Sequence, residues 1–286
     1  MFVVMGATGN VGRAVLSALE RRNLACRALS RRSLDTRHPT IEWLEVDALN
    51  TRALADAFTG AKGVFVLNPA NPDAENVFHE SEKLSKCVAE AICDARVPHV
   101  VALSSEGAHL ASGVGIVATL NTFERELRKT DARLAILRSA YFMESWLPYA
   151  GEAIASGNLP AMISPASLEI ECVATNDVGE AVVDCLVGIK TGIYNIVGPR
   201  RYSEQMVRDL IASKVGRPVM IHELAEHEIG PFHQQMGIGT SFATELQAMY
   251  SAINRGQIPF DPEIGTFIRG NSSLSDVLTS RLNLSH

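Results

Sequence analysis

Gly6, Gly9 and Gly12 fall three apart in FVVMGATGNVG, between an apolar run and an amphipathic one. A strand-to-helix junction of this composition suits a pyrophosphate. One glycine allows the tight turn, another lets backbone N–H groups approach the phosphates, and the third lets helix and strand pack closely. The following helix then presents the partial positive charge of its N-terminus. Thr8, Asn10 and Val11 complete the candidate cofactor loop. Such a glycine run also occurs in purely structural turns, and the strand-loop-helix context is what favours a dinucleotide. Neither Gly9 nor Gly12 is expected to tolerate a side chain.

A dinucleotide site of this kind carries its ribose-reading residue some 20 residues further on, an acidic one where NAD is preferred. The chain has ALSRRS there, with Arg31 and Arg32 where the second strand should end. Two guanidiniums can clamp a 2′-phosphate through charge-assisted hydrogen bonds, so NADP(H) is expected over NAD(H). A solvated basic turn is the alternative. Asp47, at the end of a third apolar run, suits either an adenine-edge contact or a cap for the helix near Asn50.

These residues need a parallel sheet to hold them. Short apolar runs at 2–5, 25–30, 41–46, 63–67, 99–104 and 134–139 alternate with helical stretches. Val11, Val15, Ala18 and Leu19 make one helical face, and Val77, Leu84, Val88, Ala91 and Ile92 make another. Right-handed crossovers then give an α/β, doubly wound Rossmann fold over residues 1–150. Residues 151–286 form a smaller mixed lobe, from which the segment 166–200 is expected to return to the sheet. EIECVA, GIYNIV and RPVMIHEL read there as strands. Helices are expected after Thr175 or Asn176, near Ser203, and through Leu274, Val277, Leu278 and Leu282.

Composition excludes several classes. The net charge of -6 offers no basic face for nucleic acid or an acidic membrane. The apolar runs fall short of the roughly 20 residues that cross a bilayer. The five cysteines lack metal spacing, and an odd count without a signal peptide fits the cytoplasm. His222 and His227 in HELAEH are five apart and would point roughly 140° away from each other on a helix, so no metal is expected there.

GATGNVG, SRR, EVDAL, VVALSS and ILRSAYFMESW together resemble the NmrA-like branch of the atypical short-chain dehydrogenases/reductases. VATNDVGEAVVDCLVG, GIYNIVGPRRYS and VGRPV extend the resemblance over most of the chain. It implies an NAD(P)-binding Rossmann fold with a smaller C-terminal lobe, in a family holding both quinone or enone reductases and non-catalytic redox sensors. The broader superfamily reduces carbonyls with a Tyr and a Lys four residues later. None of the five tyrosines here has that partner, and Leu120 or Asn121 stands where the tyrosine would be. The catalytic residues are therefore unassigned. Ser104, Ser105, Glu106, His109 and Tyr141 are candidates for proton transfer or for pocket lining. Phe142, Trp146 and Tyr149, at i, i+4 and i+7, form one face that is either core or the floor of an apolar substrate pocket. The expected function is reduction of a small quinone, enone or related carbonyl compound, with a dinucleotide-sensing regulator as the alternative. The ligand is a small-molecule substrate or a dinucleotide effector, and the oligomeric state is left open.

Overall fold

The computed structural model describes residues 1–32, 38–69 and 71–282. Its strands are β1 (Phe2–Val4), β2 (Cys26–Ser30), β3 (Ile41–Glu45), β4 (Gly63–Val66), β5 (His99–Ser105), β6 (Arg133–Ser139), β7 (Tyr141–Phe142), β8 (Asn158–Ala161), β9 (Cys172–Val173), β10 (Gly192–Val197), β11 (Met220–Glu223) and β12 (Thr266–Arg269). The helices are α1 (Asn10–Arg21), α2 (Thr51–Phe58), α3 (Val77–Asp94), α4 (Ala118–Leu127), α5 (Leu147–Ser156), α6 (Thr175–Gly188), α7 (Glu204–Val215), α8 (Glu226–Gln235), α9 (Thr240–Asn254) and α10 (Leu274–Arg281).

Eight strands form one parallel sheet in the order β12-β10-β6-β5-β4-β1-β2-β3. This is the doubly wound Rossmann arrangement, and the direction of winding reverses between β1 and β4. Ligands of such sheets bind outside the carboxyl ends of the strands at that reversal. Both faces are covered, so successive residues of a strand enter different cores. Val4 and Val101 pack with Val15, Leu19, Val178 and Val182 beneath α1 and α6. Val3, Val100 and Ala102 pack with Leu54, Phe58, Ile92 and Phe123 beneath α2, α3 and α4. At Gly179 a Cβ would stand 2.6 Å from the carbonyl carbon of Ala14, so this glycine lets α6 lie directly against α1.

Three departures from the sequence expectation in the second half stand out. EIECVA contributes only Cys172–Val173, which pairs with Tyr141–Phe142 outside the main sheet, because Ile170 is already bridged to Tyr202 and α6 begins at Thr175. β12 takes the far edge of the sheet beside β10, although its run of four residues, with Thr266, Phe267 and Arg269 exposed, carries almost no buried pattern. Neither Thr175 nor Asn176 caps α6. The buried carboxylate of Glu144 does so from a distant turn, with its Oε1 accepting from the Thr175 N–H at 2.9 Å and hydroxyl at 2.6 Å. Ser203 and Ser273 cap α7 and α10 through their own side chains. The lobe has a separate core in which Met143, Trp146, Tyr149, Leu159, Ile211 and Leu278 meet.

Candidate functional site

The glycine loop is held by main-chain hydrogen bonds, from Met5 N–H to Phe65 O, Ala7 N–H to Leu29 O and Gly9 N–H to Gly6 O. Gly6 has φ +65°, a left-handed conformation that favours glycine. A Cβ on Gly12 would lie 2.1 Å from Gly6 O and 2.8 Å from Ala7 Cα, so only glycine lets α1 meet the loop. Gly9 differs from Gly12. Its backbone is extended, and a Cβ would meet only Gly6 O at 3.4 Å, so the fold has room for a side chain there. Gly9 is also the residue that precedes α1, and no side chain caps the helix. The N–H groups of its first turn, from Asn10, Val11 and Gly12, are thereby left for a ligand.

A cleft of about 350 Å³ runs from this loop past the ends of β2, β3 and β4. It brings together Gly6, Thr8, Gly9, Arg31 and Asp47. Arg31 lines it, whereas the exposed Arg32 lies beside it, with its backbone N–H bonded to Ser30 Oγ at 3.3 Å. Asp47 does not cap α2. Its Oδ1 accepts from Leu49 N–H at 3.0 Å in the preceding turn, and Asn50 is the cap, accepting from Ala53 N–H at 3.1 Å.

Sequence reasoning missed Asn68, a buried residue of the same cleft. Its Nδ2 donates to Ser81 O, Ser81 Oγ and Ser85 Oγ at 2.8–2.9 Å, which fixes the amide and leaves Oδ1 without a partner among the described residues. A polar side chain between a buried strand and Pro69 was the available signal.

Beyond the cleft the ends of β5 and β6 carry side-chain networks. Ser104 is buried and donates to Glu124 Oε1 at 2.6 Å. The same carboxylate receives Arg138 on both oxygens, at 2.9 and 2.8 Å, and Arg128 at 2.7 Å. Burial works against its charge, but these donors outweigh it and hold the carboxyl below the usual glutamate range. Glu124 lies four residues after Leu120, where a superfamily lysine would stand. Asn121 donates to Ala108 O and His109 O at 2.9 and 3.2 Å and so pins the loop after β5.

Ser105, the last residue of β5, and Glu106 after it are half-buried. Desolvation, reinforced by the charge of Glu171, pushes the Glu106 carboxyl up to about 8, against opposing pulls from the Tyr141 N–H and Arg201. Phe142, Trp146 and Tyr149 do not share a helix face, because β7, a 3-10 turn and α5 divide them. Phe142 packs under the sheet, and Trp146, only 1% exposed, belongs to the lobe core. Tyr141 touches that core through Trp146, with ring centroids 5.3 Å apart, and its hydroxyl meets the Tyr250 hydroxyl at 3.0 Å. Tyr149 donates to Nε2 of His233, whose Nδ1 donates to Ile229 O, and burial keeps this histidine neutral by lowering its pKa.

A doubly wound sheet with an uncapped helix behind a glycine loop defines a dinucleotide-binding protein of the Rossmann type. Residues 6–187 match the model of the NAD(P)H-binding family, and the chain belongs to that family. It is 23% identical over 256 residues to the NAD(P)H azoreductase of Xenophilus azovorans, covering 88% of this chain and 86% of the relative. The NADPH-dependent quinone oxidoreductase of Escherichia coli, solved with NADPH, superposes with a TM-score of 0.78 at 17% identity, covering 99% of this chain and 100% of that one. The triphenylmethane reductase of a Citrobacter species gives a TM-score of 0.78 at 19% identity over 99% of both chains. A nucleoside-diphosphate-sugar epimerase of Staphylococcus aureus matches as well in shape, with a TM-score of 0.78 at 16% identity over 97% and 99%. Among the described residues no helix is long and apolar enough to cross a membrane.

Proposed function

We propose that the chain is an NADP(H)-dependent reductase of flat, conjugated, electron-poor acceptors, small quinones and enones first among them. The observation that carries this reading is the uncapped N-terminus of α1 opening on a cleft that Arg31 also lines. Gly6, Gly9 and Gly12, with the N–H groups of Asn10 and Val11 and the hydroxyl of Thr8, receive the pyrophosphate. Arg31 clamps the 2′-phosphate with Arg32 flanking it, Asp47 borders the adenine, and the free Asn68 oxygen accepts from the nucleoside. In this reading residues 1–150, with β10, hold the cofactor, and the remaining lobe closes over the acceptor beside Ser105, Tyr141 and Phe142, with Trp146 behind Tyr141.

The reduced nicotinamide, when bound, supplies hydride. The chain's part is to align the acceptor, exclude water and manage one proton. The names of the azoreductase, quinone oxidoreductase and triphenylmethane reductase relatives support acceptors with extended conjugation. NADPH oxidation measured against quinones, enones, azo compounds and aldehydes tests the reading, with turnover expected for the first two. Tight NADPH binding with no turnover of any acceptor would sink it. It would favour instead a dinucleotide sensor, a second reading supported by the Glu124–Arg138–Ser104 network and the Asn121 tether, which commit to structural contacts the residues standing where the superfamily's tyrosine and lysine would be.

A further inference from the structure

A flat base needs apolar walls and a polar edge. The cleft supplies the walls with Leu29, Val46, Ala48, Leu54 and Leu84. Asn68, two residues after β4 and 7% exposed, lines the same cleft. Its Oδ1 is the one buried side-chain polar atom of the lining residues that has no partner among the described residues. An acceptor left so in a folded interior costs stability unless a ligand or a water meets it.

The direction of that amide is fixed by α3. Nδ2 donates to Ser81 O at 2.9 Å, to Ser81 Oγ at 2.8 Å and to Ser85 Oγ at 2.9 Å. Ser81 O can only accept, so an amide oxygen turned toward it would be repelled. The Ser85 hydroxyl gives its own proton to Ser81 O at 2.8 Å, and toward Asn68 it too can only accept. A turned amide would face two acceptors. Oδ1 is therefore the branch left over, and it can be met only by a donor. Ser81 lines the cleft as well, on the same face of α3 as Leu84 three residues on, which places the fixed oxygen beside the apolar wall.

We propose that Asn68 selects the base of the dinucleotide, its Oδ1 accepting from the 6-amino group of adenine, with Ser81 and Ser85 as positioning residues, an inference that rests on the dinucleotide reading given above and deepens it. A 6-amino group donates. A 6-oxo group, as in guanine or hypoxanthine, accepts, and would meet Oδ1 lone pair to lone pair. The two carboxylates of the cleft are weaker readers of the base. Asp47 is exposed and already accepts from Leu49 N–H, and Glu80 accepts from Asn71 Nδ2 at 2.9 Å. Water competes at an exposed carboxylate and hardly at a buried amide oxygen.

The test uses the whole chain and needs no turnover. Calorimetry compares NADPH with its deaminated analogue, in which hypoxanthine replaces adenine, on wild type, Asn68→Leu and the Ser81→Ala, Ser85→Ala pair, with urea melts to show that each variant is folded. Wild type should bind NADPH roughly tenfold to a hundredfold more tightly than the analogue. Asn68→Leu keeps the volume and removes the oxygen, so the two affinities should converge to within about threefold, chiefly through weaker binding of NADPH. The serine pair leaves the amide one acceptor where it had three, and an amide free to turn can offer N–H to the 6-oxo group. Its preference should narrow although Asn68 is intact, a change in ratio that loosened packing would not produce, since packing serves both ligands alike. Wild type without a preference, or a preference that survives Asn68→Leu, overturns the assignment and leaves the dinucleotide reading standing. Where Asn68→Leu fails to fold, the serine pair decides, a narrowed preference upholding the proposal and an undiminished one overturning it. Failure of wild type to bind NADPH overturns both readings.

Discussion

The cofactor cleft and the strand-end site are built from different materials. At the cleft the decisive atoms are main-chain N–H groups and the missing Cβ of Gly12, all within a dozen residues of one another. At the strand end they are side chains brought from β5, α4 and β6. A site made of backbone is fixed by local geometry, and its chemistry is shared by every protein with that loop. A site made of side chains can change its reaction with one substitution while the fold stays.

The sharpest way to break this contrast is to add atoms to the glycine loop. Gly12→Val forces carbon into Gly6 O and Ala7 Cα, both backbone, and neither can move without disturbing β1 or α1. A loss of about 4 kcal/mol or more is expected, seen as a collapsed urea midpoint with no NADPH binding. Gly9→Ala should separate the two roles. It ought to melt within about 0.5 kcal/mol of wild type, while binding NADPH more weakly, because its methyl group enters the pyrophosphate path and not the core. Equal damage from both variants would mean that the loop is structural throughout.

The strand-end network should respond next. Arg138→Met leaves Glu124 buried with only Arg128 and the Ser104 hydroxyl at hand, at a cost of about 3 kcal/mol. The pH dependence gives the sign. In wild type the Glu124 carboxyl titrates below its unfolded value, so its contribution is present above the ordinary glutamate range and is lost on acidification. In the variant the desolvated, poorly paired carboxylate should gain from protonation, so stability should rise as pH falls toward about 4. Urea melts at neutral and at acidic pH read both slopes.

The same difference in materials governs what could be read before the structure was known. The six strands from 2–5 to 134–139 and the faces of α1 and α3 were legible, since each is a local apolar period facing a covered sheet. β12 was not, because an edge strand with most residues exposed carries no such period. Glycine spacing announced the cleft. Whether Gly9 serves the fold or the ligand was not legible, because spacing does not reveal what each Cβ would meet. Asn68 and Glu124 were invisible as partners. Their meaning depends on Ser81 and Ser85 in one case and on Arg138 and Ser104 in the other, contacts that only the tertiary fold creates.

A smaller effect is expected where the cleft does depend on side chains. Arg31 and Arg32 are exposed, so salt screens their attraction for a 2′-phosphate. Wild type should prefer NADPH over NADH by roughly tenfold to a hundredfold, and the Arg31→Ala, Arg32→Ala pair should erase most of that preference, more completely at low salt than at high. Calorimetry with both dinucleotides reads it. A preference that survives both substitutions would remove these arginines from the site.

The smallest effect should come from the residue that looks most like a conventional acid. Tyr141 follows β6 at the strand end, yet its hydroxyl lies 3.0 Å from that of Tyr250, and burial raises its pKa well above the usual phenol range. A phenol held this way keeps its proton and spends its hydrogen bond within the lobe. Tyr141→Phe removes that bond and leaves the Tyr250 hydroxyl short of one partner, a loss of about 1 kcal/mol in stability. The rate should fall less than about tenfold, below the hundredfold or more typical of a missing general acid. A thousandfold loss in Tyr141→Phe would return the chemistry to a tyrosine, and the strand-end site would then differ from the superfamily's in the position of its acid and not in its kind.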